Sequence, residues 1–159
     1  MAGVNLTITE TGFDELSNAF QKLQQHAGDL KPAMTAIGEY LLGSNQDRIE
    51  QGVTPDGEAF APLSDVTKSR KKKNVDKILI ENGYLFNLAY NAFSNAVEIG
   101  TPMIYGAVMF YGADKGEFGN VNGHPIPWGN IPAREYLGIN TVDEQEILAT
   151  LGDYLLSDV

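Results

Sequence analysis

The stretch Tyr84-Leu85-Phe86-Asn87-Leu88-Ala89-Tyr90-Asn91-Ala92-Phe93-Ser94-Asn95-Ala96-Val97-Glu98-Ile99 decides the fold class, because the apolar period changes within it. Leu88, Tyr90 and Ala92 alternate with Ala89, Asn91 and Phe93. Ser94-Asn95 then offers turn chemistry, and Val97 and Ile99 resume the alternation. A period of two puts every second side chain on one face of a strand, so the stretch reads as a β-hairpin within an antiparallel sheet that includes residues 86–100.

Toward the N-terminus the period is helical. Pro32 suits the first position of a helix near residues 33–51, with Ile37, Tyr40, Leu41 and Ile49 on its buried side and Gly52 as its stop. Upstream, Phe13, Leu16, Phe20 and Leu23 recur at steps of three and four behind an N-cap at Thr11, predicting a helix near residues 12–27. Val4, Leu6 and Ile8 alternate as a short strand would. After the second helix, Pro55-Asp56-Gly57 marks a tight turn, Phe60 and Leu63 anchor the following segment, and Ser64 caps a short polar helix carrying the basic cluster.

Toward the C-terminus, residues 102–111 fit either a strand or a short buried helix. Residues 113–130, with four glycines and two prolines, read as a long loop that is mobile or ordered by a partner, anchored at one end by Trp128. Tyr136, Leu137 and Ile139 suggest a strand. Thr141 and Glu144 form a capping box ahead of a C-terminal helix from about residue 142, lined by Ile147, Leu148, Leu151, Tyr154 and Leu155. The pattern is that of a single α+β domain over residues 1–159, helices packed on an antiparallel β-sheet. Gly100, Gly112 and Gly138 fall at element ends, where a positive φ is expected.

Composition narrows the function. The chain has 159 residues, no cysteine and a net charge of −10. Disulfides and thiol chemistry are thereby excluded, and a reducing compartment is expected. No apolar run reaches the roughly 20 residues of a bilayer span. The first residues lack the basic and apolar regions of a signal peptide, so neither membrane nor export is expected. Six of the eleven basic residues, Lys68, Arg70, Lys71, Lys72, Lys73 and Lys77, lie in one ten-residue window with one acid, Asp76. That window carries +5 and the rest of the chain −15, so general DNA binding is disfavoured. The cluster is either a solvated face or a contact to DNA phosphates or to an acidic neighbour.

Chemistry-bearing patterns are sparse. His26 and His124 have no neighbours at metal-ligand spacing, and none of the common nucleotide-binding or hydrolase motifs occurs. Asp56 and Glu58 bracket a turn glycine, which suits a solvated turn better than the facing carboxylates of a hydrolase. No catalytic, cofactor or metal residue is therefore assigned, and a non-enzymatic role is expected.

Four segments in series are more specific. The first runs Ile37-Gly38-Glu39-Tyr40-Leu41, Arg48, Pro55-Asp56-Gly57, Phe60, Pro62-Leu63-Ser64, Thr67 and Lys71-Lys72-Lys73. The second is Ile78-Leu79, Gly83, Leu85 and Val97-Glu98-Ile99-Gly100-Thr101. The third is Tyr105, Ala107, Phe110 and Gly112, and the last is Ile131-Pro132-Ala133-Arg134, Tyr136, Leu137 and Gly138. In this order and at these intervals they resemble the phage virion morphogenesis (tail completion) family, over about residues 34–140; Gly106, Met109 and Glu135 depart from its pattern.

The resemblance implies assembly rather than turnover. It implies a structural protein completing the tail or forming the head–tail junction, as a homo-oligomeric ring that touches neighbouring tail or connector proteins and lets DNA pass. It also implies assembly in the bacterial cytoplasm and residence in the virion. The alternative is a DNA-binding or packaging accessory protein using residues 68–77. Structural or interface roles are expected for Arg134, Phe60, Trp128, Tyr105 and Tyr136. Arg134, just after a proline-defined bend, is either a clamp within the subunit or a contact between subunits.

Overall fold

A computed structural model describes residues 29–157. The strand expected at residues 4–8, the helix expected over 12–27 and His26 lie outside the described residues. The elements in order are α1 (Lys31–Gln51), α2 (Asp65–Arg70), β1 (Ala89–Ala92), β2 (Val97–Gly100), α3 (Gly106–Tyr111), β3 (Asn120–Val121), β4 (His124–Pro125) and α4 (Thr141–Ser157). Among the described residues the strands form two antiparallel pairs, and the class is α+β. The chain groups into two compact units that interleave in sequence.

One unit holds, among the described residues, 29–44, Ala89–Gly100 and 139–157. Its core is Leu30, just ahead of α1, with Ala33, Met34, Ile37 and Leu41 of α1 and Ile147 and Leu151 of α4. Ala92, Val97 and Ile99 of the hairpin pack against that core. The hairpin pairs Ala89 with Gly100 and Ala92 with Val97, three residues later than the start expected at residue 86, and the Phe93 N–H closes the loop on the Ala96 carbonyl at 2.8 Å. Tyr90 lies on α1 so closely that a Cβ at Gly38 would stand 2.3 Å from its ring. A larger residue at that position of the helix would have to displace the Tyr90 ring.

The expected C-terminal capping box is present one residue earlier. The Asp143 N–H donates to Asn140 Oδ1 at 2.9 Å and the Asn140 N–H donates to Asp143 Oδ2 at 3.0 Å. Asn140, not Thr141, is thus the cap, and Asp143, not Glu144, answers it. The buried Asp143 carboxylate also accepts from Ser44 Oγ.

The other unit holds Asn45–Leu88 and Thr101–Gly138. Helix α1 ends where expected, with Gly52 at φ 74°. In the turn beyond, the Gly57 N–H donates to the Thr54 carbonyl at 2.9 Å with Gly57 at φ 85°. This reverses the chain so that Val53 pairs with Ala59 and the Phe60 N–H reaches the Gly52 carbonyl at 2.8 Å. Phe60 is buried as expected. Of the two readings open for residues 102–111, the helix is present, over Gly106–Tyr111.

Two sequence expectations need correction here. Tyr136 and Leu137 form no strand: adjacent residues are both buried, and the backbone of this segment bonds to a helix end and to side chains instead of a ladder. Residues 113–130 are not without structure, since β3 and β4 pair across Asn122 (φ 51°) and Gly123 (φ 78°). Both central residues at positive φ match the tight hairpin turn that follows strand twist. Further bonds, Gly116 N–H to the Pro127 carbonyl at 3.0 Å and Phe118 N–H to the Ile126 carbonyl at 2.9 Å, hold the hairpin base.

Candidate functional site

The second unit carries a groove of about 690 Å³. Its walls come from Pro62-Leu63-Ser64 and Thr67, from Lys71 and residues 79–82, from Tyr84 and Leu85, from Tyr105 and Met109, and from residues 130–132 with Arg134. Several of these walls are held in place by bonds that can be traced to a residue.

Arg134 holds the first wall. Its Nε donates to the Ala61 carbonyl at 2.8 Å and its Nη2 to the Pro62 carbonyl at 3.1 Å. Its own N–H donates to the Met109 carbonyl at 3.0 Å, at the end of α3. The side chain is 6% exposed, and burial pushes the guanidinium down from its ordinary value. The side chain clamps backbone carbonyls within the subunit, the first of the two roles the sequence allows.

Tyr136 lies beneath α3, fully buried, donating its hydroxyl to the Gly106 carbonyl at 3.0 Å. Its ring meets Phe110 edge to face, with centroids 5.7 Å apart. Desolvation raises the phenol well above its usual value, with Tyr105 adding to the shift. A Cβ at Gly106 would stand 2.4 Å from Thr101 Cγ2 and 3.0 Å from the Tyr136 hydroxyl, so a larger residue would have to displace one of these contacts. Gly112, at φ 77°, lets the chain leave α3 against the Ile131 carbonyl, which a Cβ would meet at 2.6 Å. Of the three element-end glycines only Gly112 takes the positive φ expected; Gly138 is needed for space instead, its Cβ position lying 2.4 Å from Pro55 Cγ.

The basic segment divides. Helix α2, capped by Ser64 Oγ accepting the Thr67 N–H at 3.2 Å, carries only Lys68 and Arg70 of the cluster. The others follow in an irregular loop, which corrects the expectation of a single basic helix. Lys71 Nζ donates to the carbonyls of Lys77 and Ile80, and burial lowers its pKa. It staples the loop while remaining partly exposed. Lys77 pairs with Glu50 at 2.9 Å, and Arg70 lies over the Trp128 ring, 5.4 Å from its centroid. Lys68, Lys72 and Lys73 are exposed.

Lys71, Tyr105 and Arg134 thus meet at one groove, whereas Phe60 and Tyr136 serve the interior. Trp128 is 68% exposed, so it does not anchor its loop by burial as expected; its contact is the Arg70 guanidinium. Sequence reasoning missed Asn45, which is fully buried, and gave Arg48 no role. Three residues apart on α1, they grip Gly138: Asn45 Oδ1 accepts its N–H at 2.9 Å and Arg48 Nη2 donates to its carbonyl at 2.8 Å. Polar residues on an otherwise apolar helix face were the available signal. Among the described residues no group of His, Cys, Asp and Glu is placed to hold a metal, and no helix is long and apolar enough to cross a membrane.

Comparison with known proteins gives one finding. The family model described as the phage virion morphogenesis family matches residues 12–156. No curated protein and no solved structure matches.

Proposed function

Because this chain belongs to the phage virion morphogenesis family, we propose that it acts as a structural subunit at the end of the tail or at the head–tail junction, without chemistry of its own. It self-associates there as a ring around the DNA channel and contacts neighbouring tail or connector proteins. Assembly takes place in the bacterial cytoplasm and the ring stays in the virion.

The observation that carries this reading is a braced groove edged by exposed aromatic side chains. Tyr84 is 59% exposed and Tyr105 is 38% exposed, both lining the groove, and Ile104 next to Tyr105 is 76% exposed. Large apolar side chains left in water beside a concave, rigid wall favour a protein contact. The two cations of the lining, Lys71 and Arg134, donate to main-chain carbonyls and so keep the groove's shape. A net charge of −10 suits a ring whose lumen lets DNA slide instead of holding it.

The test is inactivation of the gene in a producing phage, with electron microscopy of the lysate and native mass measurement of the purified protein. Filled heads and free tails that fail to join, with a closed multimer of roughly six to twelve copies, are expected for cyclic assembly. Empty heads, together with steeply salt-dependent duplex binding by the purified protein, would instead establish a packaging role through residues 68–77.

A further inference from the structure

Charge is unequally divided along the chain. Nine of its eleven Lys and Arg residues lie in Asn45–Leu88 and Thr101–Gly138, the unit that bears the groove. Helix α4, in the other unit, carries four acidic residues and no basic one. Asp143 is buried in the capping box, but Glu144, Glu146 and Asp153 are exposed. Glu146 and Asp153 share a stripe with Val142 and Ala149, at spacings of three and four residues. Val142 is exposed on that stripe, and Leu148 is exposed one turn beyond Glu144. The solvent face of α4 therefore mixes apolar side chains with carboxylates.

The groove offers the opposite chemistry. Leu63, Ile80, Tyr84, Tyr105 and Met109 give it apolar walls. Thr67 and Lys71 of its lining are followed in sequence by the exposed ammonium groups of Lys68, Lys72 and Lys73. Glu81 is the acidic residue of the lining, and it accepts the Lys72 N–H at 3.2 Å.

We propose that the groove of one copy receives the solvent face of α4 from a second copy, apolar side chains against its walls and carboxylates against Lys68, Lys72 and Lys73. Opposite charges on two different patches of one chain favour a head-to-tail pairing, in which each copy gives one patch and accepts the other. A helix laid into an apolar groove and steered by flanking charge is a recurrent mode of recognition. The proposal rests on the self-association reading above and names the surfaces it uses.

The experiment uses two variants of the full chain, Lys68→Glu/Lys72→Glu/Lys73→Glu and Glu144→Lys/Glu146→Lys/Asp153→Lys, in sedimentation at low salt with melting curves as controls. Each alone should weaken self-association by about tenfold or more, and an equimolar mixture should co-assemble, because the two reversed patches match each other. If charge reversal disturbs folding, the matching glutamine variants repeat the measurement, and each must still weaken association. Tyr105→Ser should weaken it as well. Variants that fold and assemble like the wild type, or a mixture that stays apart, would overturn the assignment of surfaces while leaving ring formation standing. A wild-type chain that never associates at any concentration would overturn the self-association reading itself. Loss of duplex binding by the lysine variant with assembly unchanged would assign those lysines to DNA and refute the docking.

Discussion

Asn45 and Gly138 are joined by a buried hydrogen bond across 93 residues of sequence, the Gly138 N–H donating to Asn45 Oδ1 at 2.9 Å. Arg48, one turn along the same helix, takes the other polar group of that peptide segment. A buried donor left without its acceptor costs about 1–3 kcal/mol. Asn45→Leu, which keeps the branching at Cγ and removes the acceptor, should lower stability by at least that amount in urea denaturation. An unchanged midpoint would show that water replaces the bond.

Arg134 should be intolerant of shortening and of lysine. Arg134→Ala orphans the Ala61 and Pro62 carbonyls, with an expected loss of about 1–3 kcal/mol. Arg134→Lys brings a charge without the planar fork and should recover only part of it. Thermal melting of the three proteins measures both steps. A lysine variant as stable as the wild type would mean that charge, not geometry, holds the wall.

The lysine run should behave as two kinds of residue. Lys72→Ala/Lys73→Ala should melt like the wild type, since exposed charges contribute little to stability. Lys71→Ala removes the staple between the Lys77 and Ile80 carbonyls, and limited proteolysis should then cut within residues 71–80 sooner. Equal cleavage in both variants would sink the distinction.

The register of the C-terminal cap is open to a direct comparison. Asn140→Ala should cost about 0.5–2 kcal/mol, the usual effect of losing an N-cap side chain. Thr141→Ala should change little, because Thr141 is already the first helical residue. The reverse ranking in thermal melts would restore the box at Thr141 and Glu144.

Tyr136 makes stability fall at high pH. Its ordinary pKa of 10.0 is raised in the fold by desolvation, so the folded chain holds the phenol proton more tightly than the unfolded chain. The stability linked to it is complete below pH 10.0 and is lost as pH rises above that value toward the folded pKa. Tyr136→Phe should lose about 0.5–1.5 kcal/mol at neutral pH with its hydrogen bond and show a shallower decline above pH 10. Some decline remains, because Tyr40 and Tyr105 are raised in the same direction. Identical alkaline profiles for the two proteins would remove Tyr136 as a cause.

Sequence by itself determined the elements whose signal is local. The helix at Lys31–Gln51 with its glycine stop, the hairpin around Ser94-Asn95, the turn at Pro55-Asp56-Gly57 and the C-terminal helix were all legible. The period of apolar residues and the few residues that tolerate a turn are written in neighbouring positions. The order of short motifs was legible for the same reason, and with it the family.

Only the tertiary structure decided what the polar residues do. Lys71 and Lys72 are adjacent and chemically identical, yet one staples a loop and the other is exposed. Arg134 meets the carbonyls of Ala61 and Pro62, more than 70 residues away. The acceptors in these bonds are main-chain carbonyls, which every residue carries alike, so composition and periodicity leave no mark of which one is chosen. Folding makes that choice by bringing distant backbone to a side chain that burial has left without water.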